Sequence, residues 1–167
     1  MGYDHKYVYS HFGYNLKVTD MQAAIGCAQL KKLPAFVEAR QKNWQFLRDQ
    51  LSELSDIFEL PEPIDNSQPS WFGFLLTLKP NAPFKRVDLI KYLESKNIQT
   101  RLLFSGNILK HPCFDEMRAT GEGFRVVGEL TNTDRIMNDT FWIGVYPGMT
   151  QSMLEMMVKT IKEFCKK

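Results

Sequence analysis

The sequence predicts an α/β (α+β) fold, a small sheet covered by helices and preceded by a long connecting helix. Three apolar runs of strand length lie at about residues 71–78, 98–104 and 141–145, each followed by turn-forming residues. Helical periodicity dominates much of the chain outside them. Strands that alternate with helices favour a layer of helices packed on a sheet. With 167 residues, 44% of them hydrophobic, the chain can form a sizeable core.

The amino-terminal part of the chain predicts two successive helices. Thr19 is suited to cap the first one, and Gln22 follows three residues later to complete a capping box. Four residues then share one apolar face: Met21, Ala24, Ile25 and Ala28. Pro34 ends or bends this helix and can start the second. The second helix is expected over about residues 35–54, where large apolar residues recur at spacings of three and four.

The remaining elements follow from local patterns. Prolines and polar residues at 61–69 predict a loop before the first strand, and apolar spacing predicts a helix over about residues 86–95. Residues 105–107 form a predicted turn, and residues 111–127 are expected to contain only short helical pieces. Thr150 caps a final amphipathic helix.

Composition argues against several classes of protein. The net charge of +2, from 21 basic and 19 acidic residues, gives no support to nucleic-acid binding. Three cysteines without a CxxC pair do not favour a disulfide framework or a zinc site, and they fit a reducing cytoplasm. No apolar run approaches the length that crosses a bilayer, so no membrane association is expected.

The most informative stretch is residues 13–24, Gly-Tyr-Asn-Leu-Lys-Val-Thr-Asp-Met-Gln-Ala-Ala. With Gln29-Leu30 it resembles the DegT/DnrJ/StrS family of sugar aminotransferases, fold-type I enzymes that use pyridoxal phosphate (PLP). Residues 2–7, 10–15 and 100–107 resemble one branch of that family. This branch comprises the CDP-4-keto-6-deoxy-D-glucose 3-dehydrases of lipopolysaccharide biosynthesis (RfbH type).

The resemblance implies that the chain is the carboxyl-terminal portion of such an enzyme. Residues 1–17 would then pack on a large domain, residues 18–54 would form connecting helices, and residues 55–167 would form the small domain of a fold-type I transferase. The catalytic Lys of the aminotransferases, or the His that replaces it in the dehydrase branch, is expected upstream of Met1. No catalytic residue is therefore assigned in this chain, and the isolated chain is expected to be inactive.

The dehydrase branch also implies a reaction and partners. Pyridoxamine phosphate (PMP) would serve as electron sink while the 3-hydroxyl of a CDP-4-keto-6-deoxyhexose is removed. A separate iron–sulfur reductase would complete the deoxygenation, and a homodimer would share its active sites. The expected role is 3,6-dideoxysugar and O-antigen biosynthesis. The alternatives are a PLP-dependent nucleotide-sugar aminotransferase and a non-catalytic module that binds a nucleotide sugar or self-associates.

Asn15 is the cofactor-binding residue that the resemblance implies. The corresponding family Asn reaches the cofactor phosphate of the other subunit, and an amide can donate to phosphate without adding charge. The alternative is that Asn15 only shapes the turn before the helix.

Four residues are expected to bind substrate. Phe72 stands where aminotransferases commonly have His, which fits a site that does not transaminate, although a core Phe is an equal alternative. Arg101 suits a nucleotide diphosphate or sugar, or is solvated or structurally paired. Ser105 and Asn107 replace a Pro-x-His turn of many aminotransferases and are assigned to the sugar, unless they are only a connection. In isolation, aromatic residues between Tyr3 and Tyr14 are expected to be exposed, to be poorly ordered or to force a non-native contact.

Overall fold

The computed structural model describes residues 11–14 and 16–166, and the chain divides into two compact units between Pro34 and Ala35. In the first unit, helix α1 (Asp20–Leu30) begins at the capping box that the sequence predicts. The backbone N–H of Thr19 donates to Gln22 Oε1 at 2.9 Å, and the Gln22 N–H donates to Thr19 Oγ1 at 3.4 Å. None of the α1 side chains is buried.

Helix α2 (Leu33–Leu51) begins two residues before the boundary of the units and continues into the second one. Pro34 lies in its first turn, where a missing N–H costs nothing, and this confirms that Pro34 starts the second helix. A short 3-10 turn, Ser52–Leu54, ends it. Within the second unit α2 buries Trp44, Leu47 and Leu51.

The second unit contains an antiparallel sheet whose four strands come from the described residues. They are β1 (Phe58–Glu59), β2 (Gly73–Leu78), β3 (Thr100–Leu102) and β4 (Thr140–Gly144), in the spatial order β1-β2-β4-β3. The three predicted strands are confirmed: β2 and β3 are shorter than predicted, and β4 begins one residue earlier. The sequence did not predict β1, which is only two residues long.

Four further helices belong to this unit: α3 (Arg86–Ser95), α4 (Asp115–Thr120), α5 (Thr131–Asp139) and α6 (Gln151–Cys165). The predicted bounds of α3 are confirmed, and Thr150 caps α6 by accepting a hydrogen bond from the Met153 N–H at 3.3 Å. Helix α4, with the 3-10 turn Pro112–Phe114 before it, confirms the short helical pieces of that region. Helix α5 was not predicted.

The core lies on one face of the sheet. Along β2, alternate residues Phe74, Leu76 and Leu78 are buried, as the two-residue period of a strand requires. Helices α2, α3 and α6 cover them with Trp44, Leu47, Leu51, Leu89, Leu93, Leu154, Val158 and Ile161. The Trp44 ring also stacks on Trp71, with 4.0 Å between ring centroids and planes 2° apart.

Helix α5 lies against the other face of the sheet, at one end of it. Arg135 of α5 forms an ion pair with Glu59 at 2.6 Å, and Glu59 pairs with Thr77 in the sheet. Directly paired residues present their side chains to the same face. Thr77 and Thr140 also share a hydrogen bond there, at 2.9 Å. The sheet therefore has one fully covered face and one that α5 covers only in part.

The stack between α2 and the segment before β2 can be tested by Trp44→Ala. Trp44 is 2% exposed, so the variant loses the stack and leaves a cavity; we expect it to unfold about 3–5 kcal/mol more easily. Lys42→Ala, on the exposed side of the same helix, should change stability by less than about 0.5 kcal/mol. The measurement is urea unfolding of the 167-residue chain, followed by circular dichroism. Equal midpoints for the two variants would contradict this packing.

Candidate functional site

Three polar contacts fix the end of the sheet at which β2 begins and β4 ends. The Arg40 guanidinium of α2 donates through Nη1 to the carbonyl of Trp71 at 3.0 Å and to that of Val145 at 3.1 Å. The buried Asn43 donates through Nδ2 to the carbonyl of Tyr146 at 3.0 Å. These carbonyls belong to residues just outside the two strands, so α2 anchors the chain where β2 begins and where β4 ends.

At this end, the face opposite the core carries two of the sequence-predicted site residues. Arg101 pairs with Trp142 across β3 and β4, and both side chains leave the sheet on the face opposite the buried Thr100 and Ile143. The Phe72 ring packs on the Trp142 ring, with centroids 5.0 Å apart and planes 54° apart. We call Phe72, Gly73, Arg101 and Trp142 the open face.

Gly73 lets the Trp142 indole lie across strand β2. A β-carbon on Gly73 would stand 2.5 Å from Cε3 of Trp142, which is closer than real side chains approach. The Trp142 indole therefore packs directly on the backbone at Gly73 and also contacts the tilted Phe72 ring. Residue 73 must be a glycine because the neighbouring Trp142 ring approaches its backbone too closely for a side chain.

The structure places Phe72 outside the core and Arg101 outside any ion pair with the described residues, and it leaves a solvated Arg101 open. Phe72 is 74% exposed, so it is not a core residue. Arg101 is exposed, and its side chain forms no hydrogen bond or ion pair with residues 11–14 and 16–166. Both side chains are therefore available to a ligand, although binding itself stays a prediction.

Ser105 and Asn107 lie elsewhere, in a loop against α5. Asn107 is only 4% exposed; its Nδ2 donates to Asp134 Oδ1 at 2.8 Å, and its Oδ1 accepts from the Leu109 N–H at 3.1 Å. The Ser105 carbonyl is 2.8 Å from His111 Nε2. The four predicted substrate residues thus form two groups, and the amide of Asn107 is engaged within the protein. Contact of Ser105 or Asn107 with a sugar stays a prediction.

Asp134 holds this loop to α5 in its charged form. Lys110 forms an ion pair with Asp134 at 2.8 Å, and this contact, followed by the hydrogen bond from Asn107, lowers the pKa of the carboxyl below its usual value. Asp134 is consequently ionised at neutral pH. Its charge contributes to fixing the turn at Ser105 and Asn107.

Two grooves lie near the sheet. One of about 540 Å³ is lined by Lys79, Lys85, Arg86 and Asp139, among others, and contains none of the predicted site residues. Arg86 acts structurally there, because it donates to the carbonyls of Met137 and Thr140 at 2.6 and 2.9 Å. Desolvation lowers the pKa of Arg86, and the nearby charge of Asp139 opposes that shift.

The second groove, of about 450 Å³, runs along the edge strand β3. Its lining residues are Glu94, Asn97, Gln99, Thr100 and Arg101. Arg101 therefore borders both this groove and the open face. No group of three His, Cys, Asp or Glu side chains within residues 11–14 and 16–166 is arranged to hold a metal ion.

The residues present do not fit the whole PLP coenzyme. Asn15, assigned to the cofactor phosphate, lies outside the described residues, so that assignment stays a prediction. Phe72, Arg101, Ser105 and Asn107 offer a ring, a guanidinium, a hydroxyl and an amide. These groups suit a phosphate or a sugar, but they include no amine for a Schiff base and no carboxylate for a pyridine nitrogen.

The family model described as the DegT/DnrJ/EryC1/StrS aminotransferase family matches residues 1–162. The chain belongs to this family. It is 53% identical over 163 residues to the lipopolysaccharide biosynthesis protein RfbH of Salmonella typhimurium, covering 98% of this chain and 36% of that protein. It is 50% identical to the dTDP-4-dehydro-2,6-dideoxy-D-glucose 3-dehydratase of Saccharopolyspora spinosa, covering 99% of this chain and 35% of that protein. The chain thus spans about a third of the length of these curated relatives.

Two solved structures share the fold. The GDP-4-keto-6-deoxy-D-mannose-3-dehydratase of E. coli with bound hydrated PLP superposes with a TM-score of 0.79 at 23% identity, covering 95% of this chain and 39% of that chain. A DegT DnrJ EryC1 StrS aminotransferase from Brucella abortus superposes with a TM-score of 0.77 at 16% identity, covering 98% of this chain and 40% of that chain. The predicted fold, part of a PLP-dependent aminotransferase fold, is confirmed.

Sequence reasoning missed Trp142 and Arg40. Trp142 alternates with the buried Phe141 and Ile143, so the period of the strand already places it on the opposite face. Arg40 lies among the polar residues of α2, and no local pattern distinguishes it from a solvated Arg. Its partners are 31 and 105 residues away, so only the tertiary structure reveals its role.

The Asp134 contacts predict a pH dependence of stability. A carboxyl whose pKa is lower in the folded than in the unfolded state stabilises the fold above its unfolded pKa of about 4, and loses this effect as the pH falls through the lower folded pKa. Asp134→Asn should therefore be less stable than the unaltered chain at pH 7, with a difference that shrinks below about pH 4. Thermal unfolding at several pH values measures it. A difference that stays constant or grows on acidification would contradict the assignment.

Proposed function

We propose that the chain is the carboxyl-terminal part of a PMP-dependent dehydratase that removes the 3-hydroxyl of a CDP-4-keto-6-deoxyhexose in 3,6-dideoxysugar and O-antigen biosynthesis. The supporting observation is a difference in similarity. Identity is 53% to RfbH and 50% to a 3-dehydratase, but 28% to the dTDP-4-amino-4,6-dideoxy-D-glucose transaminase of Shigella dysenteriae. All three comparisons cover at least 90% of this chain, so the difference favours the dehydratase branch over the aminotransferases.

The chain's own contribution to this function is binding and orientation. Bound PMP supplies the electron sink, and the residue that transfers the proton is expected upstream of Met1. Phe72 replaces a His expected of aminotransferases, and its apolar ring cannot move a proton. Arg101 offers the substrate phosphates a guanidinium that no described residue pairs with, and Asn15 is assigned to the cofactor phosphate. The cytidine nucleotide follows from the resemblance to the RfbH branch, since the other dehydratase names specify dTDP and GDP.

The partners and the location are also part of this proposal. A homodimer with shared sites fits the exposed apolar side chains of α1, which include Met21, Ile25 and Leu30. An iron–sulfur reductase completes the proposal, because loss of the C3 hydroxyl as water needs no net electrons, whereas replacing it by hydrogen requires two. The cytoplasm fits Cys27, Cys113 and Cys165, which form no disulfide. No helix within residues 11–14 and 16–166 has both the length and the hydropathy of a membrane span.

A graft tests the function directly. The matching segment of Salmonella RfbH is replaced by this chain, and the same graft into the Shigella transaminase is the matched control. We expect the RfbH graft, with PMP and the reductase, to dehydrate CDP-4-keto-6-deoxyglucose, and the transaminase graft to be inactive. The 167-residue chain alone should show no turnover. The reverse pattern, or dehydration by the chain alone, would contradict the proposal.

The role of Asn15 is tested in the active RfbH graft. Asn15→Ala should raise the Kd for PMP about 10- to 100-fold, because a hydrogen bond to a charged group contributes about 1.5–3 kcal/mol. Asn81→Ala, at an exposed turn residue, is the control and should leave the Kd unchanged. The measurement is titration of cofactor absorbance. Equal affinity in the two variants would remove Asn15 from the cofactor site.

A further inference from the structure

We propose that Trp142 is a nucleotide-binding residue: its indole stacks on the base of the nucleotide sugar while Arg101 contacts the phosphates. The inference deepens the proposed function and depends on it for the class of ligand. It concerns the end of the second sheet face that α5 does not cover. There the half-buried Trp142 neighbours the exposed Phe72 and Arg101, whose guanidinium has no partner among the described residues.

The Trp142 indole has packing partners within the chain itself. Gly73 provides space for the ring across β2, and the Phe72 ring closes one side of it. The backbone of Phe72 is held by the Val145 N–H, which donates to the Phe72 carbonyl at 3.4 Å. Arg40 adds hydrogen bonds to the neighbouring carbonyls of Trp71 and Val145. A ring that is already ordered loses little conformational entropy when a ligand stacks on it, so its contact area contributes fully to affinity.

The combination of side chains indicates a nucleotide. An aromatic ring stacks on the face of any base, and a guanidinium matches the oxygens of a phosphate in a bidentate geometry. Adjacent strands are about 5 Å apart, so Trp142 and Arg101 can contact the base and phosphate of one molecule. A covering protein surface would have to supply a carboxylate for Arg101 as well as an apolar patch for Phe72. A nucleoside diphosphate carries in one ligand both an aromatic base for Trp142 and anionic oxygens for Arg101.

The test uses the 167-residue chain and three probes, CDP, cytidine and inorganic pyrophosphate, in calorimetric titrations. Trp142→Leu should raise the Kd for CDP and for cytidine about 5- to 100-fold and leave the Kd for pyrophosphate unchanged. Trp142→Phe should retain most of the affinity for CDP and cytidine. Arg101→Gln should raise the Kd for CDP and for pyrophosphate but not the Kd for cytidine. Circular dichroism confirms that each variant is folded.

Matched controls separate the open face from general surface effects. Phe104→Leu removes an aromatic ring that is 97% exposed elsewhere, and Arg125→Gln removes an exposed guanidinium. Neither should change the Kd for CDP. Gly73→Ala should weaken CDP without removing any contact group, because it displaces the indole. Absence of saturable CDP binding, or equal losses in the control variants, would overturn the proposal.

The graft into RfbH distinguishes this inference from the proposed function. In an active graft, Trp142→Leu should raise KM at least 5-fold with little change in kcat, as expected when an interaction is equally strong in the ground and transition states. An active graft whose KM is insensitive to Trp142 would overturn the inference and leave the function standing. CDP binding that requires Trp142, combined with an inactive graft, would overturn the function and leave the binding residue standing.

Discussion

The contact on which the rest of the second unit depends is that of Arg40 with two carbonyls. Its guanidinium joins helix α2 to the residues beside the start of β2 and the end of β4. Those carbonyls lie outside the sheet ladder, and leaving them unpaired in a partly buried site would cost about 1–3 kcal/mol each. The contact therefore orients α2, with the stacked Trp44 and Trp71, and holds the two central strands in place.

The sheet is asymmetric, and this asymmetry leads to the functional proposals. Helices α2, α3 and α6 bury one face completely, while α5 covers only the end of the other face near Thr77 and Thr140. The uncovered end carries Phe72, Trp142 and Arg101. The chain belongs to the DegT/DnrJ/EryC1/StrS aminotransferase family and spans about a third of the length of the curated relatives it matches, and the role proposed for this portion is binding.

The elements that sequence predicted are those whose determinants are local. The Thr19–Gln22 capping box, the Thr150 cap and the helix from Arg86 to Ser95 each follow from residues within one or two turns. Helix α5 escaped prediction because it buries no residue and is held by long-range contacts such as Arg135 with Glu59. The candidate site was predicted only in part for the same reason: Phe72 and Arg101 were recognised individually, but their common neighbour Trp142 emerges from the register of strands far apart in sequence.

A crystal structure of the RfbH graft with PMP and a CDP-sugar analogue would test most directly the claim that the uncovered end of this sheet receives the nucleotide sugar. The account predicts cytosine density parallel to the Trp142 indole and a diphosphate oxygen within about 3 Å of the Arg101 guanidinium. Density for the nucleotide elsewhere, with Trp142 and Arg101 covered by protein side chains, would contradict it.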